Sequence, residues 1–235
     1  MGRKSREKRE RRSGLRPPRQ VRGVLPTGTL QTPRFGLAEI RALLAEATAF
    51  LGEETVRTQI GGMRRGDVVF PWTPGLRWWL QARDDPGALL PDELQLDVGV
   101  VVRDIHYLMN LQSVRSSPSM REAARQRLLQ EPDSALWEMR SAGTYAASGI
   151  SVEWAALTKA DQPQAPDVEL PVEGIHIEVK SRRRKTDPMG NANQILAIIE
   201  GAGRALGGSR PGILIMTARV PNRSLLARST MVGWV

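Results

Sequence analysis

From Asp167 to Lys180 polar and apolar side chains alternate without a break on either side of a four-residue link, residues 171–174 (Pro-Val-Glu-Gly). A period of two is the signature of a β-strand, because successive side chains point to opposite faces. Four residues is a common hairpin link. Pairing Leu170 with Ile175 sets Val168 against Ile177, Glu169 against His176 and Asp167 against Glu178. In that register Val168, Leu170, Ile175, Ile177 and Val179 share one face, and Asp167, Glu169, His176, Glu178 and Lys180 share the other. A slip of one residue would send every apolar side chain to the wrong side.

What the polar face can do is limited by composition. The 235 residues include no cysteine, which excludes disulfides, zinc ribbons and thiol nucleophiles, and the histidines are two, His106 and His176. A bound metal would therefore be held mainly by oxygen. The net charge of +9 is concentrated in residues 1–22, where ten Lys or Arg stand against two Glu; the remainder carries 24 basic and 23 acidic residues. Residues 1–32 lack apolar periodicity and contain Pro17-Pro18, so a disordered basic tail is expected there. Such a tail either adds salt-sensitive attraction to phosphates or serves as a solubilising or ribosome-proximal extension. No apolar run approaches a membrane span and the N-terminus is charged where a secretory signal would be apolar, so a cytoplasmic protein without membrane contact is expected.

The remaining pattern is that of an α/β chain. Leu37, Ile40, Leu44, Ala47 and Leu51 recur at helical spacing. Trp72, Trp78 and Trp79 lie in a stretch rich in Gly and Pro and fit core or interface anchors better than base-stacking platforms. Residues 97–109, with Val98, Val100 and Val102 in alternation, suggest a strand leading into a helix or turn. Ser117-Pro118 reads as an N-cap followed by proline at the first helical position, with the helix stopping before Pro132. A second helix is expected from Ser134 to Gly149, then a strand through Ile150, Val152 and Trp154. Ile195, Ile198, Ala202 and Leu206 mark a further helix, and residues 212–217 a buried strand, which favours a parallel crossover.

Like charges directly opposed on a hairpin are destabilising. A divalent cation shared by Asp167 and Glu178 would relieve that repulsion, and hard oxygen ligands suit Mg²⁺ or Mn²⁺. Lys180, on the same face, would then reach a bound water or a phosphate oxygen. The alternative is a solvated polar face on which Lys180 makes a surface ion pair worth ~0–1 kcal/mol.

Pro166-Asp167 followed, eleven positions after the aspartate, by Glu178-Val179-Lys180 resembles the signature of the PD-(D/E)XK nuclease superfamily. Glu138, in the helix before it, resembles that family's helical acid; Gly149 resembles the turn into its first strand, and Gln194 the polar residue some members carry near the next helix. The resemblance covers residues 134–217. It implies a restriction-endonuclease-like mixed central sheet flanked by helices, formed by residues 117–235, with residues 33–116 a helical or mixed region of unassigned role.

It also implies a Mg²⁺-dependent phosphodiesterase (Mn²⁺ being an alternative), an endonuclease rather than an exonuclease. Asp167, Glu178 and the Val179 carbonyl would hold the metal, with Glu138 in its first or second shell, and Lys180 would orient or deprotonate the attacking water. Arg182, Arg183, Arg184 and Lys185 follow at once and are placed to hold a nucleic-acid backbone, aided by Gln194. DNA is the expected partner ahead of RNA, and a homodimer is a possible form for cutting two strands. A nuclease-like module that binds nucleic acid without cleaving it is the alternative. His176 joins the site or pairs with Glu169, and Glu169 is the competing ligand should the register slip by two.

Overall fold

The computed structural model describes residues 34–85, 87–159, 165–183, 212–219 and 230–234. The tail expected over residues 1–32, the pair Arg184-Lys185, Gln194 and the helix expected over residues 195–206 lie outside the described residues.

Residues 37–158 are helical in eight segments: α1 (Leu37–Leu51), α2 (Glu53–Arg65), α3 (Thr73–Ala82), α4 (Gln95–Asn110), α5 (Gln112–Ser116), α6 (Pro118–Gln130), α7 (Pro132–Ala147) and α8 (Ala155–Thr158). The ends follow local chemistry. The Glu39 carboxylate accepts the Gly36 N–H at 2.8 Å to start α1. Ser117 Oγ accepts the Met120 N–H ahead of Pro118 to start α6. Proline again opens α7, at Pro132, two residues before the expected start.

Two expected strands are absent. Residues 97–109 belong to α4: the buried apolar positions are Val98, Val101, Val102, Ile105 and Leu108, a spacing of three and four, so packing on a helical face overrides the strand preference of the valines. Residues 150–154 make one isolated bridge, Glu153 to Glu169, before the chain turns into α8 at Trp154.

The sheet is small and mixed, with β1 (Val168–Leu170) antiparallel to β2 (Ile175–Arg183), β2 parallel to β3 (Gly212–Arg219) and β3 antiparallel to β4 (Thr230–Trp234), in the order β1-β2-β3-β4. The hairpin has the expected register: Val168 opposes Ile177, Glu169 opposes His176 and Leu170 opposes Ile175. Gly174 closes the link at φ +64°, a left-handed conformation that side-chain-bearing residues rarely adopt. β2 runs three residues past Lys180, so Arg182 and Arg183 pair with Ala218 and Arg219 of β3 instead of beginning a loop.

One apolar cluster extends from Leu44 in α1 to Ile215 in β3 and takes in all three tryptophans of residues 72–79, so the interior does not break at residue 116. Among the described residues no helix is long and apolar enough to cross a membrane.

α4 and α7 cross closely at Gly143, where an added Cβ would lie 2.3 Å from Tyr107 Cβ and 2.8 Å from the Tyr107 backbone. Gly143→Ala should therefore destabilise the fold by about 1–3 kcal/mol, read as a lower urea midpoint. In a helix interior without such contact the same change stabilises by about 1 kcal/mol, so the sign of the shift reports the crossing.

Candidate active site

The polar face of the hairpin is withdrawn from water. Glu178 is 4% exposed and the Asp167 side chain 16%, which rules out a solvated face at these two positions. Asp167 lies just before β1, and its Oδ2 accepts the Val179 N–H at 2.7 Å, tying the carboxylate to the strand that carries Glu178. Lys180 reaches both acids: its Nζ is 3.8 Å from Asp167 Oδ2 and hydrogen-bonds Glu178 Oε1. The other oxygen of Glu178, Oε2, is buried with no hydrogen-bond partner among the described residues. Buried carboxylate oxygens are ordinarily satisfied, and an orphan of this kind calls for an explanation.

Burial, then the charges of Glu178 and Glu138, push the Asp167 carboxyl up to about 7; Lys180 and the Val179 N–H act in the opposite direction. For Lys180, burial alone would lower the ammonium, but the Glu178 hydrogen bond and the charges of Asp167, Glu178 and Glu138 outweigh it and hold the group above its ordinary value. Lys180 is thus protonated at neutral pH. That suits orienting a water or an anion.

Glu138 is brought to the same region by α7, which packs against β1 and β2. Its side chain is 3% exposed and both its oxygens are occupied. Arg127, in the last turn of α6, grips it through Nε to Oε2 at 3.0 Å and a terminal nitrogen to Oε1 at 2.9 Å. Trp154 Nε1 donates to Oε2 at 3.1 Å. Glu138 therefore acts on Asp167 through its field while being held by Arg127, and no group of three Asp, Glu or His side chains converges on one point among the described residues. The expectation of Glu138 as a direct ligand finds no such geometry here.

Asp167 and Glu178 do fit a divalent cation between them. They are adjacent, shielded from water and mutually repelling, and Glu178 Oε2 is unclaimed among the described residues.

Glu169 stays out of this group. The register does not slip; Lys159 Nζ takes Glu169 Oε2 at 2.5 Å and Glu153 Oε2 at 3.5 Å, while His176 Nε2 lies 3.4 Å from Glu169 Oε1. His176 accordingly pairs with Glu169.

Sequence pattern did not single out Arg127 or the indole of Trp154. A signal for Arg127 was present: α6 and α7 are separated by Glu131 alone, so the last turn of one helix lies beside the first turns of the next, and Arg127 and Glu138 are complementary charges at those places. No protein-family model, curated protein or solved structure matches the chain.

Proposed function

We propose that this chain is a metal-dependent nuclease of the PD-(D/E)XK type, with a restriction-endonuclease-like arrangement of its sheet, hydrolysing phosphodiester bonds of DNA. The observation that carries the reading is the shielded pair Asp167 and Glu178, with Glu178 Oε2 without a hydrogen-bond partner among the described residues and the Lys180 ammonium against both acids. Side-by-side buried acids are costly to a fold and are retained where they do chemistry.

Asp167 and Glu178 would hold Mg²⁺ or Mn²⁺, which when bound supplies the positive charge that acidifies a water and offsets charge on the reacting phosphate. The Asp167 carboxylate is fixed toward β2 by the Val179 N–H. Lys180 would orient the attacking water and contact a phosphate oxygen. Arg182 and Arg183, in line beyond Lys180 on β2, continue a basic run suited to the nucleic-acid backbone. A homodimer would supply two such sites for cutting both strands of a duplex in one encounter.

A module that binds nucleic acid without cutting it is the second reading. It is favoured by the pairing of Glu138 with Arg127, which leaves two converging acids instead of three.

The deciding experiment is plasmid cleavage with Mg²⁺ or Mn²⁺, with and without EDTA. Metal-dependent cutting that falls by about a hundredfold in Glu178→Gln and in Lys180→Met, with duplex binding retained, is the expected result. Duplex binding by the parent protein without cutting under either metal supports the second reading instead.

A further inference from the structure

We propose that Arg127 is a built-in counter-cation of the acid cluster: it limits how strongly the carboxylates attract a divalent cation, and it supplies the positive charge that receives a phosphodiester once that cation is present. This rests on the nuclease reading of the same site and adds a residue that neither the motif nor the resemblance identifies.

The placement is specific. The guanidinium spends two of its nitrogens on Glu138, whose side chain is 3% exposed, while its third points toward Glu131, 3.7 Å away and 62% exposed. Arg127 therefore reaches from the buried acids to the surface and is itself 27% exposed, accessible to an anion arriving from solvent. It also feels the charge of Asp167 as well as that of Glu138. A guanidinium is the side chain suited to this double duty, since its planar fork matches a carboxylate and a phosphate equally well.

Formal charge gives the arrangement a purpose. Arg127 and Lys180 offset part of the negative charge of Glu138, Asp167 and Glu178, and Glu131 is a further carboxylate on the solvent side of Arg127. Loss of Arg127 leaves the site one unit more negative, with or without a bound cation. Removing the arginine should thus strengthen cation binding and weaken phosphate binding, two effects of opposite sign. A residue that only props up the fold would weaken both.

The test measures binding, not turnover. Mn²⁺ uptake is measured by titration calorimetry, and affinity for a short DNA duplex by fluorescence anisotropy in Ca²⁺ at fixed ionic strength. The proteins are the parent, Arg127→Met and Arg127→Lys, each first checked by thermal unfolding. Arg127→Gln is the second neutral variant should Arg127→Met not fold.

The expected result is Mn²⁺ binding about tenfold tighter and duplex binding about tenfold weaker in the neutral variant, with Arg127→Lys restoring both toward the parent values. Mn²⁺ uptake by the parent that is unchanged or weaker in the neutral variant overturns the role of Arg127 and leaves the nuclease reading intact. No Mn²⁺ uptake by the parent overturns the nuclease reading, and this proposal with it.

Discussion

Arg140→Met should destabilise the folded chain by about 3–5 kcal/mol, the largest loss expected of a single substitution away from the acid cluster. Its partner, Asp104, is fully buried in α4. The Asp104 carboxylate takes Arg140 Nε at 2.8 Å and a second guanidinium nitrogen at 2.6 Å, and Trp72 Nε1 at 2.9 Å. Arg103 contributes only long contacts of 3.4 Å from a half-exposed side chain. Methionine fills much of the volume of Arg140 but leaves the Asp104 carboxylate in the core with one indole N–H and the long Arg103 contacts, and a poorly compensated buried charge is the expensive part of a broken ion pair.

Arg140 also lies over the Trp137 ring, 4.9 Å from its centroid, so some packing is lost as well. The double variant Asp104→Asn/Arg140→Met removes both charges and should lose clearly less than the sum of the two single changes, a coupling read from urea midpoints. A loss below about 1 kcal/mol in Arg140→Met would mean that Arg103 swings in to neutralise Asp104. Because Arg140 lies two residues beyond Glu138 on α7, this ion pair also sets where that helix places Glu138 against the sheet.

The second large effect has the opposite sign. Asp167 is pushed up to about 7 by burial and by the neighbouring charges of Glu178 and Glu138. In the unfolded chain an aspartate titrates near ~3.9. Below about pH 4 both states hold the proton and the group is neutral in its effect. Between about pH 4 and 7 the unfolded chain gives up its proton while the folded one retains it, so stability falls as pH rises; above about pH 7 the full cost is present. That cost is on the order of 4 kcal/mol.

Asp167→Asn keeps an oxygen for the Val179 N–H and removes the charge. With EDTA present, the variant should melt on the order of 5–10 °C above the parent at pH 8, with the two curves converging as the pH is lowered to 4. Mg²⁺ should then raise the melting temperature of the parent and leave the variant unmoved, because a ligand stabilises only the state that binds it. A variant that melts lower than the parent at pH 8 would show that the carboxylate is structural, stabilised by Lys180 and the backbone more than it is strained by Glu178. A fold that becomes more stable on losing an acid is the signature of a group retained for chemistry.

The hairpin shows how far pattern alone reaches. Val168, Leu170, Ile175, Ile177 and Val179 are all buried on one face, as their alternation requires, and the four-residue link then selects the register that opposes Glu169 to His176. The same holds for α1, whose apolar spacing matches its observed limits, and for the start of α6 at Ser117-Pro118. Residues 97–109 went the other way. Valines at alternate positions also satisfy a helical spacing when Val101, Ile105 and Leu108 are counted, and only the partners available on α1 and α7 decide between the two periods. Residues 150–154 pair at a single rung because the Trp154 indole is drawn to Glu138 beneath α7.

Sequence by itself determined the strand period and, with the four-residue link, the register of the rungs from Val168 to Leu170, because alternation fixes which side chains share a face and the length of the link selects among the slips that preserve it. Tertiary structure alone decided which cation meets which acid. Lys159 goes to Glu169, Arg127 to Glu138 and Arg140 to Asp104, whereas Lys180 meets Asp167 and Glu178 on the face that its strand position had indicated. Charges pair by distance through space, and the short link between α6 and α7 and the close crossing of α4 with α7 set distances that no spacing along the chain encodes.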